Sequence, residues 1–113
     1  MIGIISAMQS EHDQLAARLQ EKNVMGRGRL SFVTGRIGRN EVVLAQSGIG
    51  KVNAALGAAA LMDLFDIKAL VSTGVAGGID PVLQVTDVVA SSRLAYHDVW
   101  CGDGNAYGQI QGL

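Results

Sequence analysis

Short β-branched apolar runs alternate along the chain with stretches of helical spacing. The apolar run at residues 2–6 predicts a strand that is covered on both faces. After it, Ser10 and Asp13 resemble a capping box and leucines follow at helical spacing, so we predict a helix over about residues 10–20. The chain therefore opens with a strand that leads into a helix.

A polar segment separates this helix from two further β-rich runs. Residues 23–29 hold two glycines among polar side chains, which is typical of a turn. Residues 30–36 and 41–46 then predict two strands, with residues 37–40 as a hairpin connection. We expect this pair to be antiparallel.

The second half of the pattern begins with a long apolar helix. Residues 50–65 are mostly helix formers, which predicts a largely buried helix whose alanines and Gly57 let its backbone approach a sheet or a partner subunit. Residues 69–73 predict another buried strand, and residues 85–90 a further one. Strands that alternate with helices indicate an α/β fold.

Composition narrows the function classes. The chain has 113 residues, of which 49% are hydrophobic and 17% charged, as expected of one compact domain. The formal charge of -1 gives no basic field for nucleic acid or anionic lipid, and the apolar stretch at residues 54–62 is too short to span a membrane. Cys101 is the only cysteine, so we expect no internal disulfide and a reducing, cytoplasmic setting.

Glu11 is the first candidate for chemistry. It falls just after the first predicted strand, at the start of a helix, where open α/β sheets bind ligands and where a carboxylate is kept ionised. Such a group can take a proton from water. The alternative is a solvated glutamate that only complements the helix dipole.

Two glycine loops follow predicted strands. Residues 47–51 fail the phosphate-loop pattern, because Val52 stands where Ser or Thr is needed, but the tight turn still lets backbone approach a ligand. In residues 73–78, Gly77 and Gly78 remove side chains where a flat ring could lie. A purely structural turn remains an alternative for both loops.

Other polar clusters are less specific. His97, Asp98, Cys101 and Asp103 lack the frame of a metal site, and no serine stands in a nucleophile elbow. The aromatic residues Trp100 and Tyr107 suit either a subunit interface or a pocket wall.

Four segments taken in register resemble one enzyme family. They are residues 2–11 (IGIISAMQSE), 47–58 (SGIGKVNAALGA), 72–78 (STGVAGG) and 96–98 (YHD), and they resemble the methylthioadenosine/S-adenosylhomocysteine nucleosidases over essentially the whole chain. The resemblance implies the N-terminal part of a nucleoside phosphorylase-like fold, with a mixed sheet flanked by helices. It also implies a homodimer that hydrolyses these nucleosides to adenine in methionine salvage, without a cofactor or metal.

The resemblance assigns roles to individual residues. Glu11 matches the glutamate that orients and deprotonates the attacking water. Residues near the water, the ribose and its 5′ substituent are Ala7, Met8 and Ile49. Residues of the loop near the base are Val75, Ala76 and Gly77. The segment after Asp98 corresponds to one that reaches toward the neighbouring subunit's pocket.

Hydrolysis is favoured over phosphorolysis. Related phosphorylases grip phosphate with arginines at places that read Ser72 and residues 6–11 here. The alternatives are a phosphorylase or another purine-nucleoside hydrolase, and a non-catalytic dimerisation module.

Two features set the expected limits of this chain. Residues 99–106 and Gln111 depart from the commoner family wording, which affects the 5′ specificity. The family's ribose-binding glutamate and its adenine-protonating aspartate lie in a C-terminal half. We therefore expect residues 1–113 to form an incomplete nucleoside phosphorylase/hydrolase-like domain that is nearly or wholly inactive alone.

Overall fold

The computed structural model describes residues 1–111, except the side chain of Arg27. Two compact units follow one another along the chain, the first Met1–Ala76 and the second beginning at Gly77. The helices and strands found among the described residues all belong to the first unit. Residues 112 and 113 of the expected domain lie outside the described residues.

The first unit is a mixed five-stranded sheet with two helices. Its strands lie in the order β2-β3-β4-β1-β5. β1 is parallel to both β4 and β5, whereas β3 is antiparallel to β2 and β4. In chain order the elements are β1 (Ile2–Ser6), α1 (Gln9–Ala17), β2 (Gln20–Arg27), β3 (Leu30–Ile37), β4 (Asn40–Gln46), α2 (Lys51–Leu64) and β5 (Ala69–Ser72).

The two helices cover opposite faces of the sheet. Successive strand residues point to opposite sides, so neighbours in sequence join different apolar clusters. The cluster under α2 contains Ile5, Phe32, Val43, Ala45 and Leu61. The cluster on the α1 side contains Leu19, Val33, Val42 and Leu44, with Leu15 of α1 packed against it.

Most predicted elements of the first unit are confirmed. The strand at residues 2–6, the antiparallel hairpin, the long helix and the strand from Ala69 are all present. The close approach of α2 to the sheet is also confirmed, because a Cβ on Gly57 would lie 2.9 Å from Cδ1 of Ile5. The α/β fold with a mixed sheet therefore follows from these residues.

The predicted end of α1 and the turn after it were wrong. The helix stops at Ala17, because Arg18 and Leu19 donate to the carbonyls of Leu15 and Ala16 in a tighter turn. Residues 23–29 belong mostly to β2, and the turn is confined to residues 28–29. β2 is an exposed edge strand, so it lacks the apolar alternation that marks a half-buried strand.

The strand predicted at residues 85–90 is absent. The described part of the second unit contains turns, such as the one closed by the Asp87 N–H on the Gln84 carbonyl, but no helix or strand. Val88 is 97% exposed. A β-branched run becomes a strand only when another strand pairs with it, and among the described residues of this unit none does.

Two burial predictions also fail. Within α2, which is fully described, only Gly57 and Leu61 are buried, because the helix covers the sheet with one narrow face. All four residues of β5 are exposed, because among the described strands only β1 lies beside it. None of the described helices has the length and apolar character needed to cross a membrane.

Candidate active site

Three parallel strands end at the same edge of the sheet. β1 lies between β4 and β5, and at their carboxyl ends Ser6 pairs with Gln46 while Ile5 pairs with Ser72. In open α/β sheets this edge is where ligands bind. The loops that leave it are residues 7–8, 47–50 and 73–76.

Backbone hydrogen bonds hold the loops beside one another. The Ser47 N–H donates to the Ser6 carbonyl at 2.9 Å, and the Thr73 N–H donates to the Ile5 carbonyl at 3.0 Å. The Ser47 hydroxyl lies 3.3 Å from the same Ser6 oxygen. Each outer loop is thus fixed to the end of β1 where it begins.

Glu11 connects two of these loops through its carboxylate. It is the third residue of α1, and its Oε2 accepts the Met8 N–H at 3.0 Å. Its Oε1 accepts the Val75 N–H at 3.1 Å. The carboxylate therefore stands between the exit of β1 and the exit of β5, as a water-activating group at this edge would have to.

The same contacts favour the ionised form of Glu11. The Met8 N–H, then the Val75 N–H and to a smaller extent Ala7, lower the pKa of this carboxyl below its usual value, against an opposing effect of partial desolvation. Glu11 is consequently a carboxylate at neutral pH. A carboxylate oxygen has more than one lone pair, so each can accept a water proton beside its backbone donor.

Gly74 is a residue of this site that the sequence did not single out. A Cβ at this position would lie 2.9 Å from Oε1 of Glu11, closer than carbon and oxygen pack without a shift. The absence of a side chain is what lets the carboxylate reach the Val75 N–H. The only sequence signal is a glycine directly after a strand and before the more conspicuous pair of glycines.

Of the seven residues predicted for the site, six lie at this edge in the first unit, and one belongs to the second unit. Ile49 and Val75 are strongly exposed there, at 75% and 83%. Gly77 is the first residue of the second unit. The residues that the first unit gathers at the edge are Ala7, Met8, Glu11, Ile49, Val75 and Ala76.

The second unit contains the remaining polar candidates. Nδ1 of His97 lies 3.7 Å from a carboxylate oxygen of Asp98, and both side chains are largely exposed. Trp100 and Tyr107 are exposed as well. Across residues 1–111, no three His, Cys, Asp or Glu side chains cluster as metal ligands would.

This fold and edge define a class of proteins. The model of the phosphorylase superfamily matches residues 1–111, and the chain belongs to that superfamily.

Within the superfamily, the chain is similar to 5′-methylthioadenosine/S-adenosylhomocysteine nucleosidases. It is 40% identical to the one from Staphylococcus epidermidis over 97% of this chain and 49% of the relative. It is 46% identical to the one from Listeria innocua over 96% of this chain and 47% of the relative.

Solved structures give the same result. The S. pneumoniae nucleosidase with the transition-state inhibitor MT-ImmA superimposes with a TM-score of 0.92 at 43% identity, covering 98% of this chain and 49% of that one. The Neisseria meningitidis nucleosidase in complex with methylthio-immucillin-A gives 0.90 at 37% identity, over 99% and 49%. The chain thus spans about half the length of the relatives it matches.

Proposed function

We propose that this chain supplies the water-activating part of an N-glycosidase that cleaves methylthioadenosine and S-adenosylhomocysteine. The observation that carries the proposal is the ionised Glu11 carboxylate, held by the N–H groups of Met8 and Val75 at the ligand-binding edge of the sheet. The names of the relatives support the choice of substrates. The inhibitor-bound S. pneumoniae relative, with a TM-score of 0.92, supports it further.

The chemistry assigned to Glu11 is that of a general base. Its carboxylate accepts a proton from a water molecule as the water oxygen bonds to C1′ of the ribose. The bond between C1′ and the purine nitrogen breaks, and its electron pair passes into the base, which leaves as adenine once it is protonated. The proton donor to the base is assigned by the resemblance to the C-terminal half of the family.

The other proposed residues form the walls around this water. Ala7 and Met8 follow β1 directly, and Ile49 stands on the neighbouring loop, so we assign them to the water, the ribose and the 5′ substituent. Val75, Ala76 and Gly77 are assigned to the purine. The small side chains of Ala76 and Gly77 suit a flat ring that lies against backbone.

Hydrolysis remains the preferred reaction within the superfamily. The strand end at Ser72 and residues 6–11 offer no arginine to hold a phosphate dianion. The alternative is phosphorolysis. Product analysis with and without phosphate separates the two, because only phosphorolysis yields a sugar phosphate.

The oligomeric state, the domain organisation and the location of the protein are also proposed. A homodimer is supported by the exposed apolar stripe of α2, formed by Val52, Leu56 and Met62. That residues 1–113 form an incomplete nucleoside phosphorylase/hydrolase-like domain is supported by the family match over residues 1–111. A cytoplasmic location and a role in methionine salvage rest on the resemblance alone.

Glu11→Gln tests the proposed function. The amide keeps the shape of the side chain but cannot accept a proton from water, so adenine release by the complete gene product should fall by about a hundredfold to ten-thousandfold. The assay follows adenine formation from methylthioadenosine. Glu41→Gln, on an exposed residue of β4, is the control and should leave the rate unchanged.

A wild-type rate retained by Glu11→Gln would contradict the assignment. To separate lost chemistry from lost binding, the affinity of each variant for adenine is measured by calorimetry. We expect Glu11→Gln to keep most adenine binding, because its one amide oxygen can still accept the Val75 N–H of the 73–76 loop, and only the Met8 N–H then loses its acceptor.

A further inference from the structure

The loop before α2 has an unusually constrained backbone. Gly48 and Gly50 both have positive φ, at 86° and 103°, a region in which side chains are strained. At its start the loop is tied to β1 by the two contacts of Ser47 with the Ser6 carbonyl. A loop fixed at one end only would still be free to move at Ile49.

Asn53 fixes the other end. It lies in the first turn of α2, and its side-chain amide donates from Nδ2 to the Ile49 carbonyl at 2.7 Å. The same amide packs against the loop backbone, since a Cβ on Gly48 would be 3.4 Å from Nδ2. A Cβ on Gly48 would only make ordinary contact with Asn53, so it is the positive φ that favours glycine at this position.

This hydrogen bond serves the loop more than the helix. The residue at the N-cap position is Gly50, which has no side chain to cap the first turn, and the first intrahelical bond runs from Ala54 N–H to its carbonyl. Asn53 gives its donor to a carbonyl outside the helix instead of accepting from a free N–H at the helix start. Its bond thus leaves the helix amides as they are and orders Ile49.

We propose that Asn53 is a positioning residue that holds Ile49 as a fixed wall of the nucleoside site. The inference rests on the proposed function. The Ile49 side chain is 75% exposed at the edge that carries Glu11, so only its backbone can define where the side chain stands. Loss of the Asn53 donor should weaken substrate binding and leave the proton transfer at Glu11 nearly intact.

Four variants of the complete gene product separate the donor from other effects. Asn53→Asp keeps the shape and Asn53→Ala removes the side chain, and both lack the donor. Asn53→Gln keeps an amide donor on a side chain that is one methylene longer. Asp63→Asn, an amide and carboxylate exchange at the other end of α2, is the control.

The Asn53 variants rank differently in helix stability than in their ability to donate this hydrogen bond. Ala is a better helix former than Asn, and a carboxylate in the first turn stabilises a helix by its interaction with the helix dipole. If Asn53 acted only on the helix, Asn53→Ala and Asn53→Asp would therefore behave at least as well as the wild type.

The readouts are KM and kcat for methylthioadenosine, with hydrogen exchange of the amides of residues 48–50. We expect Asn53→Ala and Asn53→Asp to raise KM by about three- to tenfold, the loss of one hydrogen bond, with kcat within about twofold. Their loop amides should exchange faster. Asn53→Gln, which keeps the amide donor, should lie closer to the wild type than Asn53→Ala in both values, and Asp63→Asn should match the wild type.

Unchanged KM in the Ala and Asp variants would overturn the inference, and so would loop amides that exchange at the wild-type rate in both. A wild-type protein that releases no adenine would instead contradict the proposed function, and Asn53 would then have no role in substrate binding. In that case the exchange rates still decide whether the Asn53 amide orders the loop. The two failures are therefore distinguishable.

Discussion

A single carboxylate, that of Glu11, joins two loops that are far apart in sequence. It accepts hydrogen bonds from Met8, three residues before it, and from Val75, 64 residues after it. Each backbone donor stabilises the charged form and lowers the pKa, so Glu11 is ionised at neutral pH, and the same donors make it a weaker base than a free carboxylate. Its orientation is determined by the chain around it more than by its own position on a helix.

Gly74→Ala tests this orientation at the residue scale. The new Cβ would stand 2.9 Å from Oε1 of Glu11, and since the end of a flexible side chain yields more easily than backbone, the carboxylate should move off the Val75 N–H. Adenine release by the complete gene product should fall by at least about tenfold, because misplaced catalytic groups lose rate steeply. The pKa of Glu11, measured by NMR titration, should rise as it loses a donor.

Gly26→Ala is the matched control for that change. A Cβ at Gly26 meets nothing within 4 Å and its φ is not positive, so neither the rate nor the pKa of Glu11 should change. Gly74→Ala with wild-type activity and an unchanged Glu11 pKa would show that the carboxylate does not depend on this close approach.

At the element scale, α2 has two very different faces. Leu61 is fully buried against β1, β3 and β4, whereas Leu56 on the same helix is 61% exposed. The helix is therefore held to the sheet by a narrow contact in which Gly57 brings the backbone close. Ala58, Ala60 and Leu64 also pack against this cluster, whereas the exposed side chains of Val52, Leu56 and Met62 contribute little to the fold of the first unit.

Leu61→Ala should consequently destabilise the chain far more than Leu56→Ala. Truncating a buried leucine costs about 2–5 kcal/mol, whereas an exposed substitution usually stays within about 0.5 kcal/mol. Urea unfolding of the 113-residue chain, followed by circular dichroism, gives both free energies. Equal losses for the two variants would mean that the exposed face of α2 is covered in solution, as in a dimer.

Elements with a covered face could be predicted from the sequence, and elements without one could not. Residues 2–6 and the hairpin strands show apolar patterns because they enter the two clusters of the sheet. β2 is an exposed edge strand with mostly polar residues and a glycine, and its apolar Val24 and Met25 are exposed, so its sequence resembles a turn. Residues 85–90 fail in the opposite way, since their apolar pattern has no pairing strand among the described residues of the second unit.

The site shows the same division. The position of Glu11 at this edge was predictable, because its place after a strand and in the first turn of a helix is a local feature. Gly74 and Asn53 were not, because their roles depend on contacts with residues brought near by the fold: the Glu11 carboxylate for one and the backbone of a left-handed loop for the other. The spacing of residues along the chain does not show which of them the fold brings close together.

At the scale of the whole molecule, the proposed function gives this chain only the water-activating side of a reaction centre. It spans 49% of the Staphylococcus epidermidis relative, and its first unit ends the sheet at β5, whose four residues are exposed. The residues that the resemblance assigns to the ribose and to protonation of adenine belong to the half of the relatives that this chain does not match. A water-activating carboxylate without those partners can hold a nucleophile but cannot help the leaving group.

We therefore predict that the 113-residue chain alone releases adenine from methylthioadenosine at least about a hundred- to ten-thousandfold more slowly than a complete relative, the contribution of general acid catalysis. Any residual rate should be the same in Glu11→Gln, because removing the base matters little once the acid limits the reaction. The assay compares the two chains with the S. pneumoniae relative at equal concentration. Turnover near that of the relative would mean that residues 1–113 provide their own general acid. The exposed carboxylates of the second unit would then be substituted one at a time to find it, beginning with Asp98 and Asp103.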